Sequence, residues 1–276
     1  ALPARVYGTS KMKLADVARG FMRLLKQAVM GRLCQKAFVV AMKDEAVSGG
    51  AKEDWEAYWS TKKLGSGLPV RLYGLIARIY RNVIIRPSFN HFMAQHMTPG
   101  SFLLHAGCGG GEVDIDTTKA YDIIAYDISA NALRRYRDLH KQQVTVVNGD
   151  LMALPLADGS VDGVYNLGVM EHFSSDDIDR VLSEFRRVLR PSGKIVLFWP
   201  PRFGLSVKAL KVIHFILNDI FKRNIQLHPA EPMLLSSRHE AEGILNDAGF
   251  ELSDFYFGIR DLYTQTVVVG IPRPGE

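Results

Sequence analysis

The stretch Phe102-Leu103-Leu104-His105-Ala106-Gly107-Cys108-Gly109-Gly110-Gly111 constrains the fold of this chain more than any other. It opens as a short apolar run and breaks into four glycines. An apolar run of this length suits a strand buried in a parallel sheet, although periodicity alone does not separate it from a buried helix segment. Glycine lets the following turn take positive φ and brings the main chain close to whatever it holds. Open α/β sheets bind their ligands at such turns, beyond the carboxyl ends of the strands.

The glycine spacing excludes two common ligands. A dinucleotide turn needs G-x-G-x-x-G, but the third glycine falls on Glu112 when counted from Gly107 and on Asp114 when counted from Gly109. The acids Glu112, Asp114 and Asp116 also oppose a pyrophosphate at that turn. No Gly-Lys-Ser/Thr follows, so a P-loop is excluded as well. A cationic nucleoside without phosphate suits the loop better. The next apolar run, Ile123 to Tyr126, ends in Asp127. In a βαβ unit that acid lands beside the glycine turn, where a carboxylate can accept from both ribose hydroxyls. Val144 to Val147 repeats the plan and leads through Asn148 and Gly149 to Asp150 and Leu151. Asp150 can accept from an adenine amino group, and the Leu151 backbone N–H can donate to the ring.

On these residues the chain resembles the class I S-adenosylmethionine-dependent methyltransferases, in particular the small methyltransferases of type 11. Leu103 to Gly111 matches the first motif, and Asp127 the acid that closes the second strand. Gly149-Asp150-Leu151, Leu154-Pro155-Leu156 and Asp158-Gly159-Ser160-Val161-Asp162 match the adenine-side motif and the entry to the fourth strand. Leu167 to His172 matches the segment after that strand, and Leu189 to Lys194 the turn before the fifth. The resemblance covers roughly residues 98 to 271 and implies a Rossmann-like α/β fold. Its sheet would have seven mostly parallel strands, the last antiparallel, with helices on both faces. It implies S-adenosylmethionine as cofactor, held by His105, Gly107, Cys108, Gly109, Asp127, Ile128, Asp150, Leu151 and Leu167. One position departs from the family: His105 stands where an acid commonly contacts the cofactor's amino group. A neutral imidazole can accept one hydrogen bond there but supplies no charge pair. Cys108 reads as a small packing residue within the turn.

Methyl transfer from a sulfonium is an in-line displacement, and the protein mainly positions and desolvates the reactants. An oxygen or nitrogen acceptor also needs a base, and His172 is the one candidate that a motif carries to the cofactor edge. Upstream, Trp55, Tyr58 and Trp59 fall within one and a half turns. In the resembling family such a segment often folds over the cofactor, and an aromatic face suits a sulfonium. Tyr58 and Trp59 are therefore added to the cofactor site; the alternative is packing of helix on sheet.

A chain of 276 residues suffices for one core with additions. Residues 1–50 carry nine Lys/Arg and three Asp/Glu, a balance of +6, which leaves −1 of the total +5 for the rest. A near-neutral core argues against a nucleic-acid-binding one. Three parts are expected: a basic amphipathic helical extension over 1–50, a helical cover over 51–97, and a methyltransferase core over 98–276 with an inserted helical lid over 203–235. The extension suits either an anionic membrane surface, as a peripheral contact, or packing on the domain or a second subunit in a homodimer. The insertion suits either a lid over a hydrophobic acceptor or dimer packing. Lys208, Lys211 and Asp219 oppose a membrane span there. No signal peptide is read at the start. Two cysteines without metal or disulfide spacing point to a reducing cytoplasm. The expected reaction is methylation of a small molecule, hydrophobic or lipid-like. The alternatives are a protein or RNA methyltransferase docking through the basic region, or a non-catalytic S-adenosylmethionine-binding module. Neither a metal nor a nucleic-acid partner is expected.

Overall fold

The computed structural model describes residues 49–60, 68–141, 144–214 and 231–274. The amphipathic helix expected within residues 1–50, and the middle of the expected insertion, lie outside them. The elements are numbered here along the described residues.

Helices α1 (Gly49–Ser60) and α2 (Leu68–Tyr80) precede the sheet. A single π turn, Arg81–Ile85, joins α2 to α3 (Arg86–His96). The three segments thus run on as one helical stretch from Leu68 to His96. Pro87, which has no N–H to donate, follows directly on the π turn, where the α ladder is already interrupted and Arg86 N–H donates to the Arg81 carbonyl. The π turn, wider by one residue, rotates the phase of the helix face. Arg81 and Arg86 turn toward the domain and pair with Glu112 at 3.6 Å and Asp116 at 3.5 Å. Four apolar side chains, Leu75, Ile76, Ile79 and Val83, are more than half exposed and stand beside an exposed Arg78.

Seven strands form one sheet in the order β3-β2-β1-β4-β5-β7-β6. They are β1 (Phe102–Ala106), β2 (Asp122–Asp127), β3 (Thr145–Asn148), β4 (Val161–Leu167), β5 (Leu189–Trp199), β6 (Phe250–Tyr256) and β7 (Thr266–Pro272). The first five pair in parallel. The last strand, β7, runs antiparallel between β5 and β6, as the resemblance implied. Its residues Val267 to Val269 are buried and β-branched, as a central strand requires. β5 begins earlier than Lys194: Leu189 already pairs with Val161, and Arg190 to Gly193 bulge out before Lys194 pairs with Gly163.

The crossovers follow their sequences. The first holds only the four-residue α4 (Thr117–Ala120), in keeping with its threonines and β-branched residues. The second, α5 (Ala130–His140), is capped by the Ser129 hydroxyl, which accepts from the N–H of Ala132. Leu133 and Tyr136 of α5 are buried, whereas Leu139 is 43% exposed. α6 (Ser175–Val188) is capped by Ser174 and buries Ile178, Val181, Leu182 and Phe185. α8 (Arg238–Asp247) is capped by Ser237. On one face of the sheet, Phe89, Phe92 and Met93 of α3 pack against Tyr165 and Phe198.

The insertion after β5 opens with α7 (Leu205–His214). Its two ends meet: Pro201 and Leu235 form a bridge, and Arg202 N–H donates to the Leu235 carbonyl at 2.8 Å. The Trp199 indole N–H donates to the Met233 carbonyl at 2.8 Å, and Met233 N–H donates to the Glu171 carbonyl at 3.1 Å. Among the described residues no helix is long and apolar enough to cross a membrane.

Candidate active site

Beyond the carboxyl ends of β1, β2 and β4 lies a cavity of about 520 Å³. Every residue assigned from sequence to the cofactor or to catalysis lines it: Tyr58, Trp59, His105, Gly107, Cys108, Gly109, Asp127, Ile128, Asp150, Leu151, Leu167 and His172. Trp55, Arg81, Glu112, Val113, Val169 and Phe173 are among the others.

The floor is the glycine turn after β1. Gly109 sits at φ +54°, and a β-carbon there would stand 2.9 Å from the Trp59 indole. Gly111, at φ +76°, leaves no room for one against Tyr136 at 2.5 Å. The turn needs glycine both for its backbone and for what lies on it. Its N–H groups are shared out. Gly107 and Cys108 donate to the Tyr126 carbonyl, and Gly109 donates to Asp127 Oδ2 at 2.8 Å.

Asp127 closes β2 and is 7% exposed. Its other oxygen, Oδ1, accepts from Ser129 N–H at 2.9 Å. Burial pushes its carboxyl above the usual carboxylate range, and the N–H groups of Ser129 and Gly109 oppose that rise. A carboxylate has about four acceptor positions, so two backbone donors leave capacity on each oxygen for a ligand. Asn148 donates to the carbonyls of Asp127 and Ile128 and so fixes this turn. At the tip of β3, Asp150 Oδ1 accepts from Met152 N–H at 3.0 Å, and the Tyr126 hydroxyl donates to the Asp150 carbonyl at 3.0 Å. Leu151 is buried beside it.

α1 forms the roof, with its three rings in edge-on contact. Trp55 and Tyr58 lie 5.6 Å apart, Tyr58 and Trp59 5.5 Å. Trp55 also meets the His172 ring edge-on at 5.0 Å, so it belongs to the site as fully as the two rings favoured from sequence. What holds the roof had no sequence signal. Glu56 accepts from the N–H groups of Ala130 at 2.6 Å and Asn131 at 3.2 Å, and from the Ser129 hydroxyl at 3.0 Å. It thus caps α5 from another helix, where the helix dipole favours an anion. Burial opposes its ionisation, but these hydrogen bonds outweigh burial and hold the carboxyl below its ordinary value. Arg135 completes the contact by donating to the Trp59 carbonyl at 2.9 Å with its guanidinium over the indole.

The walls carry the titratable groups. His172 lies on a 3₁₀ turn, Met170–His172, after β4, with its Nε2 3.9 Å from Glu171 Oε1. Glu171 is 4% exposed, and its Oε2 has no hydrogen-bond partner among the described residues. Burial raises its carboxyl to about 8. The Cys108 thiol is raised well above its ordinary value by burial and then by the charges of Asp127 and Asp114, which suits the packing role. Asp114, expected from sequence beside the ligand, is fully buried behind His105 and does not line the cavity. Asp116 is drawn off by Lys119, Asn90 and Arg86. The described part of the insertion contributes nothing to the cavity wall.

Comparisons with known proteins agree with this geometry. Residues 104–197 match the family model described as a methyltransferase domain, Methyltransf_11. A probable S-adenosylmethionine-dependent methyltransferase of Mycolicibacterium smegmatis is 32% identical over 160 residues, 58% of this chain and 55% of that protein. A demethylmenaquinone methyltransferase of Symbiobacterium thermophilum is 34% identical over 38% of this chain and 45% of its own length. The chain thus spans about half the length of these curated relatives. Among solved structures, a geranyl diphosphate C-methyltransferase from Streptomyces coelicolor superposes with a TM-score of 0.55 at 17% identity, covering 82% of this chain and all of that one. This likeness is one of fold.

Proposed function

We infer that this chain, which belongs through residues 104–197 to the Methyltransf_11 methyltransferase-domain family, transfers a methyl group from S-adenosylmethionine to a small-molecule acceptor. The observation that carries the reading is Asp127. Its carboxylate stands at the tip of β2, grips the glycine turn through Gly109 N–H, and keeps acceptor capacity toward the cavity. The donor fits the residues present. The turn bars any side chain at 109, so main chain alone meets the ligand there. Asp127 takes the ribose hydroxyls, and Asp150 with the Leu151 N–H takes the adenine. The rings of Trp55, Tyr58 and Trp59 face a positive sulfur.

The bound donor supplies an activated methyl group. The chain's residues orient it and exclude water. His172 stands at the cavity wall beside Trp55, where it would take the proton of an oxygen or nitrogen acceptor while the sulfur–methyl bond breaks and the thioether leaves. The acceptor has an apolar part. The cavity wall offers Val113, Leu167, Val169 and Phe173. The relatives include a protein named for demethylmenaquinone and one named for a sterol, both apolar acceptors.

The test is calorimetry with S-adenosylmethionine and S-adenosylhomocysteine, followed by a labelled-donor screen of apolar metabolites. Saturable micromolar binding that Asp127→Ala weakens by roughly a hundredfold is expected, the cost of two charge-assisted hydrogen bonds. No saturable binding at millimolar ligand in the full chain overturns the reading. His172→Asn should lower turnover while leaving donor affinity within about twofold.

A further inference from the structure

We propose that Asp114, acting through His105, is the counter-charge for the amino group of the donor's amino-acid end. The proposal rests on the donor reading above and assigns a positioning role to a residue that does not touch the cavity.

His105 is the fourth residue of β1, and its ring lies between buried groups and the cavity. Its Nδ1 is 2.5 Å from Asp114 Oδ2. The ring stacks on Tyr165 with centroids 4.4 Å apart and meets Tyr136 edge-on at 6.3 Å. Asp114 has no exposed surface. Besides His105 it is met by two hydroxyls: Tyr136 donates to Oδ2 at 2.6 Å and Tyr165 to Oδ1 at 3.0 Å. Burial, and then the charge of Asp114 itself, push both phenols well above their ordinary values, so both stay donors. The charge of Asp127 also acts on the ring, His140 packs on Tyr136 at 4.5 Å, and among the described residues no Lys or Arg pairs with Asp114.

This arrangement fixes the imidazole. A carboxylate that accepts from two phenols accepts from Nδ1–H as its third donor. With the proton on Nδ1, Nε2 carries the lone pair, and a carboxylate behind a histidine makes that nitrogen a better acceptor. Nε2 is the ring nitrogen left for a ligand, and His105 lines the cavity. An ammonium donating to Nε2 then completes a line of ammonium, imidazole and carboxylate, with the negative charge one ring behind the contact. The position that lacks an acid in β1 therefore does not lack a charge. The charge comes from nine residues further along the chain.

Two measurements on the full chain test this. Long-range ¹H–¹⁵N NMR of histidine-labelled protein, assigned with His105→Gln, reads the tautomer directly. A neutral ring protonated at Nδ1 at pH 7.5 is expected, with an Nε2 shift that moves on addition of S-adenosylhomocysteine. Calorimetry then compares S-adenosylhomocysteine with 5′-methylthioadenosine, which keeps the nucleoside and lacks the amino-acid end. Asp114→Asn should weaken the first by roughly tenfold or more and the second by less than about twofold. In the wild type, S-adenosylhomocysteine should move the His105 Nε2 resonance and 5′-methylthioadenosine should leave it in place. A ring protonated at Nε2 or doubly protonated at pH 7.5, or an equal loss for both ligands in Asp114→Asn, overturns the proposal while the donor reading stands. Failure of both ligands to bind the wild type at millimolar concentration removes the donor reading and this proposal together. Should Asp114→Asn not fold, the wild-type tautomer and the response of Nε2 to the two ligands decide the matter alone.

Discussion

The Trp59 indole lies against Gly109 with no space for a single added carbon, since a β-carbon at 109 would approach its Cζ2 to 2.9 Å. The contact joins the roof to the floor of the cavity. Gly109→Ala should therefore act twice. It strains a left-handed backbone, at a cost of about 1–3 kcal/mol, and it displaces the ring. A lower melting temperature and at least tenfold weaker donor binding are expected from thermal unfolding and calorimetry. Unchanged binding would mean that Trp59 does not belong to the site.

Glu56 should hold the roof in place. Glu56→Ala removes an anion from the start of α5 and frees the N–H groups of Ala130 and Asn131, a loss of about 1–2 kcal/mol on the scale of helix caps. Hydrogen exchange should accelerate across residues 49–60 while the strands keep their protection. The pH dependence has a definite sign. The folded carboxyl lies below its ordinary value, so its stabilisation is complete above that ordinary value and is lost as pH falls through the folded one. Docking of α1 should weaken in acid in the wild type and show no such weakening in Glu56→Ala.

Glu171 should show the opposite sign. Its carboxyl is raised to about 8 by burial, so the folded protein holds a proton that the unfolded chain gives up above about 4.5. The neutral acid's contribution is complete below that lower value and is lost as pH rises toward 8. Wild-type stability should fall across this window by up to roughly 1.4 kcal/mol per pH unit. Glu171→Gln, neutral at every pH, should remove that slope and unfold at a higher temperature than wild type at pH 8. Denaturant titrations at pH 5, 6.5 and 8 check it. Parallel pH curves for the two proteins would refute the assignment.

Cys108 should be unreactive despite lying beside the cavity. Its thiol is 5% exposed and raised by burial next to two carboxylates, and only the thiolate reacts. Iodoacetamide at pH 7.5 should label it at least a hundredfold more slowly than in denaturant, as read by peptide mass mapping, which separates it from Cys34. Rapid labelling of the folded protein would show an open glycine turn.

The donor side of the cavity was legible in the sequence because its parts are local. A strand, a glycine turn and an acid recur within a few residues, and parallel pairing then brings Gly109 and Asp127 side by side. Three features were not legible. The π turn at Arg81 changes which face of a long helix looks outward, and no residue type announces it. Glu56 caps a helix that begins 74 residues later, so no capping pattern contains it. Asp114 counted in sequence as a charge near the ligand, whereas two tyrosines from α5 and β4 draw it into the core behind His105. Long-range polar contacts of this kind depend on where the sheet's neighbours arrive, which hydrophobic periodicity does not encode.

The stem that joins Pro201 to Leu235 has an evolutionary and practical corollary. A chain that leaves the sheet and returns to the same point, clasped there by the Trp199 indole and by Met233, behaves as a cassette. Its contents can be rewritten without moving β5 out of register with β7, and so without disturbing the nucleoside end of the cavity. Exchanging the 203–234 segment for that of a relative should leave the pairing of β5 with β7 and the cavity lining unchanged, since the described part of the segment touches neither.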